Sequence, residues 1–143
     1  MSAVEQIKTD AQAALKEGDR KRASALRMIQ DVLQQDAKLG KGDEIAALQR
    51  ERKKRMEAAE AYADAGRYEQ AEDERFEAEL ITAYLPAQLT DEELAELVRE
   101  AIAEAGATEP KQMGQVMGLL KEKVAGRADG KRVSGEVREQ LGS

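Results

Sequence analysis

Five basic side chains crowd into one short stretch of this chain: Lys121, Lys123, Arg127, Lys131 and Arg132 all lie between Gly118 and Arg132. Only Glu122 and Asp129 offset them there, which leaves a local excess of three positive charges in a protein whose net charge is −6. Such a cluster can hold phosphate oxygens through charge-assisted hydrogen bonds, and a guanidinium can engage two oxygens at once. Arg127 sits in a glycine-bearing loop free to approach a ligand, so it is the first candidate for a phosphate or sugar contact. The competing reading is that Arg127 pairs with Asp129 or covers a helix end, since charge clusters beside loops are commonly just solvated. No aromatic residue lies beyond Tyr84, so unpaired bases have no stacking platform there and any RNA recognition would be of backbone shape.

Other chemistry is sparsely provided. The chain contains no Cys and no His, which removes thiol nucleophiles, imidazole bases, disulfides and the usual transition-metal ligands together. Tyr62, Tyr68 and Tyr84 fall on apolar faces and read as core, while Thr108 and Ser134 read as capping positions with no base nearby. The many carboxylates have the spacing of solvated helix faces, not of a ligand loop. No catalytic residue, metal or cofactor is therefore expected. The N-terminal MSAVEQIKTD lacks the apolar centre of a secretory leader and no run approaches membrane-spanning length, so the expected location is the cytoplasm, with neither a membrane nor DNA as partner. At this net charge long-range electrostatics do not favour a polyanion, so RNA contact has to be local.

The elements that must position the basic cluster are helices. Charged residues make up 36% of the chain and aromatics only 3%, with two prolines in 143 residues, a balance that points to an all-α protein. Val4, Ile7, Ala11, Ala14 and Leu15 mark a first helix ending at Gly18-Asp19; Asp19 caps a second, with Ala25, Leu26, Ile29, Val32 and Leu33 on its stripe, ending before Gly40-Lys41-Gly42. Asp43 caps a third, carrying Ile45, Leu48, Met56, Ala59 and Tyr62, and Gly66 turns the chain into a fourth that carries Tyr68, Ala71, Phe76, Leu80 and Tyr84. The last two form a long antiparallel hairpin over residues 43–84, a surface large enough for a protein partner. Its basic run, Arg50 and Arg52 to Arg55, resembles a phosphate patch, but folding about Gly66 sets Arg55 level with Glu77 and Lys53 level with Glu79, which favours charge pairing between solvated arms.

Pro86 ends the fourth helix and divides the chain into an N-terminal helical domain, 1–86, and a three-helix module, 87–143. Thr90 with Glu93 makes a capping box and Leu89 with Leu94 the matching staple, opening a fifth helix that Gly106 closes. Thr108 is expected to cap the sixth, which holds Met113, Val116, Met117, Leu120 and Val124 on one stripe; Val133, Val137 and Leu141 form the narrow face of the seventh. Gly114 and Gly118, four apart in the sixth helix, read as a site of close helix approach, because their amides are already used within the helix. Gly126 and Gly130 permit left-handed dihedrals in the loop that follows. A phosphate could sit on the free amides that open the seventh helix, but Asp129 competes for them as the N-cap.

YLPAQLTDEEL (84–94) and ATEPKQMGQVMGLLKEKVAGRADGKRV (107–133), together with RMIQDVLQ (27–34) and AGRYEQAEDERFEAELITAYLP (65–86), resemble the GatB/YqeY family over nearly the whole chain. The family's small free-standing members share a C-terminal helical module with the tail of the B subunit of tRNA-dependent amidotransferase. The resemblance implies an all-α fold and a link to tRNA or to aminoacyl-tRNA machinery, since that tail helps hold the tRNA body. It does not imply amide transfer here: the kinase-like catalytic domain and the amidase subunit have no counterpart, so a carbon–nitrogen ligase activity with glutamine as donor would be a label inherited through the shared tail. A protein-binding adaptor working through the 43–84 hairpin is the alternative.

Overall fold

The computed structural model describes residues 2–40 and 43–142, and every regular element among them is helical. The α-helices are α1 (Ala3–Lys16), α2 (Arg20–Lys38), α3 (Glu44–Asp64), α4 (Tyr68–Thr82), α5 (Asp91–Ala105), α6 (Met113–Val124) and α7 (Gly130–Leu141), with one 3₁₀ turn, Pro110–Gln112, leading into α6. Contacts divide the chain into two compact units, Met1–Leu85 and Pro86–Ser143.

In the N-terminal unit α1 packs on α2 and α3 on α4, around a core in which Ile7, Leu26, Leu48 and Ile81 are fully buried. The Asp19 and Asp43 carboxylates each accept the N–H three residues on, at 3.1 Å, and so cap α2 and α3. Gly18, Gly40 and Gly66 take left-handed dihedrals where α1, α2 and α3 end. The expected breaker at Gly40-Lys41-Gly42 is thus seen at Gly40, while Lys41 and Gly42 lie outside the described residues. Periodicity overstated burial at the stripe edges: Leu15 is 48%, Met56 42% and Tyr68 68% exposed, so Tyr68 is no core residue. Tyr84 is partly buried, and its hydroxyl donates to Asp10 Oδ2 at 2.5 Å. Burial, first, and that hydrogen bond push the phenol above its ordinary pKa.

A long-range cap joins the two helix pairs. Glu44, at the start of α3, accepts from Ala3 N through Oε1 and from Val4 N through Oε2, both at 3.1 Å. A carboxylate there satisfies two of the four N–H groups that α1 cannot bond internally and complements its positive end. Glu44→Ala is expected to destabilise the unit by about 1–2 kcal/mol, within the range of lost helix caps, and Glu44→Gln by less. Urea unfolding followed by tyrosine emission measures this selectively, because all three tyrosines lie before Leu85.

The hairpin pairing expected for Arg55 is present but is not a solvated surface pair. Arg55 lies 2.8 Å from Glu51, 3.5 Å from Glu74 and 3.2 Å from Glu77, and these four side chains retain only 10–20% of their exposure. Arg50 instead reaches Asp36, and Arg52 donates to the Thr82 hydroxyl at 2.9 Å. Arg52 meeting Thr82 while Arg55 meets Glu77 and Glu74 establishes that α3 and α4 run antiparallel. The expected Lys53–Glu79 pair does not form among the described residues; both side chains face solvent. Burial and the three carboxylates act on this one guanidinium in opposite senses. Burial opposes the Arg55 charge, but Glu77, Glu51 and Glu74 together hold it more firmly than usual. Burial raises the pKa of Glu77 more than Arg55 lowers it, with Glu74, Asp73 and Glu51 adding to the rise. Its buried Oε2 lies within ion-pair distance of Arg55 but without the alignment of a hydrogen bond.

The C-terminal unit is a separate three-helix core of Leu94, Val98, Val116, Leu120, Val133 and Val137, all buried. The Thr90–Glu93 capping box is formed in both directions, at 3.1 and 2.9 Å, and the backbone and side-chain bonds to Thr90 draw the Glu93 pKa down. Leu89 and Leu94 are both buried in this core as a staple. Thr108 does not cap α6. The Gln112 side chain folds back to accept from Thr108 N and Glu109 N, at 2.7 and 3.0 Å, because Pro110 opens a 3₁₀ turn before the α-helix begins.

Candidate nucleic-acid interface

The basic cluster spans the C-terminal half of α6, the loop after it and the first turn of α7, so its geometry follows from how α6 ends. Ala125 takes φ 42° and Gly126 φ 84°, two successive left-handed residues that reverse the chain. Gly126 behaves as its sequence position requires. The second left-handed position is Ala125, however, and Gly130 is simply the first residue of α7. Asp129 caps α7, its carboxylate accepting from Arg132 N at 2.8 Å, so one of the amides that could have held a phosphate is occupied by the chain itself.

Three of the five cations are committed inside the unit. Arg127 turns back on α6, its Nη2 donating to Lys123 O at 2.8 Å and its Nε lying 3.4 Å from Val124 O. It thereby caps carbonyls that carry the negative end of the helix dipole. Arg132 Nη2 donates to Leu89 O and to Asp91 Oδ1, each at 3.0 Å. Lys123 Nζ donates to Glu104 Oε2 at 2.8 Å, a bond that holds the ammonium above its usual pKa range. The Lys121 and Lys131 side chains are exposed, and neither ammonium makes a hydrogen bond or ion pair among the described residues.

The loop also grips the segment that leads into α5. Leu89 N donates to Arg127 O at 2.7 Å, Arg132 returns a bond to Leu89 O, and Gln88 Nε2 bridges Pro86 O and Gly126 O at 2.9 and 3.2 Å. Arg127, the first candidate for a phosphate contact, and Arg132 are therefore parts of a clasp between residues 86–91 and 126–132. Sequence reasoning missed this clasp because its bonds join residues some 40 positions apart. Arg132→Ala is expected to cost the unit about 1.5 kcal/mol, the lower end for a charged hydrogen bond, since its ion pair with Asp91 is solvent-screened. Far-UV circular dichroism during urea unfolding reads this loss, with the tyrosine transition unmoved.

The glycines of α6 do not serve close packing. Gly114 and Gly118 are exposed, and a Cβ built on either would meet nothing within 4 Å. The reading of a close helix approach is overturned, since α5 and α7 pack on the opposite, apolar stripe of Val116, Leu120 and Val124. Gly114, Gly118 and Lys121 share the outer stripe at spacings of four and three. That stripe is consequently bare of side chains until the free lysine.

No described helix is long and apolar enough to cross a membrane, and among the described residues no group of three or more His, Cys, Asp or Glu is arranged to hold a metal ion. What remains is a helical protein of two units whose C-terminal unit offers a glycine-faced helix and two free lysines. The sequence matches the family described as Yqey-like protein over residues 4–141, and the chain belongs to that family. No curated protein matches it.

Proposed function

We propose that this YqeY-like protein is a non-catalytic cytoplasmic accessory protein that contacts tRNA, in the setting of aminoacyl-tRNA metabolism, through its C-terminal unit. The observation that carries the reading is the pair of uncommitted lysines, Lys121 and Lys131, at adjoining ends of α6 and α7 in an otherwise acidic protein. The bare Gly114–Gly118 stripe beside Lys121 supports it, because a sugar–phosphate backbone can come close where no side chain stands out. Lys121 and Lys131 hold phosphates; Arg127, Arg132 and Lys123 shape the surface that presents them. Contacts of this kind position a folded RNA without reading its bases. The test is titration of unfractionated tRNA into the full chain at rising salt. Binding that weakens steeply with salt supports the proposal, and absence of binding at low salt rejects it.

A further inference from the structure

We propose that the groove between α2 and α4 of the N-terminal unit seats an arginine or lysine of a protein partner, at a place now held by the chain's own Lys21. The groove, of about 410 Å³, has apolar walls of Ala25, Met28 and the Phe76 ring, with Asp73 and Glu77 on its α4 side. Met28 is 43% exposed although it belongs to the apolar wall. Charge complementarity selects the occupant. Beneath the groove the three carboxylates around Arg55 outnumber its single charge, and Arg55 itself reaches Met28 Sδ at 3.7 Å. Lys21 displays the mode of binding: its Nζ stands 4.7 Å from the centroid of the Phe76 ring and 3.1 Å from Asp73 Oδ1. Both partners of that ion pair are more than 60% exposed, so little holds Lys21 in place. A guanidinium stacks on an aromatic face better than an ammonium does and pairs with a carboxylate through two bonds, so an incoming arginine gains what Lys21 gives up.

The inference is independent of tRNA contact. Its test uses a fluorescein-labelled, alanine-based helical peptide bearing two arginines, with the two-glutamate peptide as control, titrated with the full chain and read by anisotropy. The arginine peptide binds and the glutamate peptide does not. Lys21→Ala vacates the ring and Asp73 and tightens binding about 2- to 5-fold, the factor equivalent to an exposed cation–π contact. Lys8→Ala makes the same charge change on the exposed face of α1 and leaves the affinity as it was. Asp73→Asn and Phe76→Leu each weaken binding by a similar factor, with unaltered helicity by circular dichroism confirming the fold. Failure of the arginine peptide to bind, or equal effects of Lys21→Ala and Lys8→Ala, overturns the proposal. The C-terminal Lys121→Glu/Lys131→Glu chain binds the peptide like the wild type, which separates this site from the RNA surface.

Discussion

Arg55→Ala is expected to destabilise the N-terminal unit by about 3 kcal/mol at pH 7, a large share of the 5–15 kcal/mol that holds a typical domain together. Removing the guanidinium leaves Glu51, Glu74 and Glu77 facing one another with little solvent around them. The lower end of the range for a broken buried pair applies, because each side chain keeps a little exposure. The pH dependence has a definite sign. The folded-state pKa of Glu77 already stands above its ordinary value of 4.5, and the Arg55 charge is what restrains the rise. Without Arg55 the folded state binds protons still more tightly than the unfolded chain. Stability therefore increases as pH falls from the raised folded pKa towards 4.5, and the deficit relative to wild type shrinks. Urea midpoints by tyrosine emission between pH 7 and 4.5 measure it; a pH-independent deficit would mean that lost packing, not unpaired charge, dominates.

The second large effect concerns RNA. Lys121→Glu/Lys131→Glu is expected to weaken tRNA binding by about 100-fold at low salt, taking two charge-assisted contacts of about 1.5 kcal/mol each. The slope of log affinity against log salt should fall by about two, one for each phosphate contact removed. Stability should hardly change, because neither lysine has a partner to lose. Arg132→Ala inverts the pattern: it loosens the fold, yet while the unit remains folded it leaves most of the affinity in place. A surface built from the whole local charge excess would show no such contrast.

The parts legible in the sequence were those whose physics is local. Asp19, Asp43 and Asp129 cap helices because a short carboxylate reaches an amide three residues on, and Thr90 with Glu93 carries the same signal twice. The core stripes were legible at their centres, Leu26, Leu48 and Val137, and failed at their edges, Leu15 and Met56, where helical period cannot tell a boundary from a core. Hydrogen bonds across distant segments had no local signature. Glu44 looks like any first-turn glutamate until α1 is placed against it, and nothing around Arg132 names Leu89 as its acceptor. The α6 glycines misled for a related reason. A small residue within a helix marks room for a neighbour, but only the packed unit shows that α5 and α7 lie on the other side.

The most direct test of the account is the affinity for unfractionated tRNA of the wild-type chain, Lys121→Glu/Lys131→Glu and Arg132→Ala, measured side by side across a salt series under conditions where each remains folded. The wild type should bind in a salt-dependent manner, the lysine pair should lose nearly all binding and show a reduced slope, and Arg132→Ala should retain it. Equal binding by the wild type and the lysine pair, or no binding by any of the three, would contradict it.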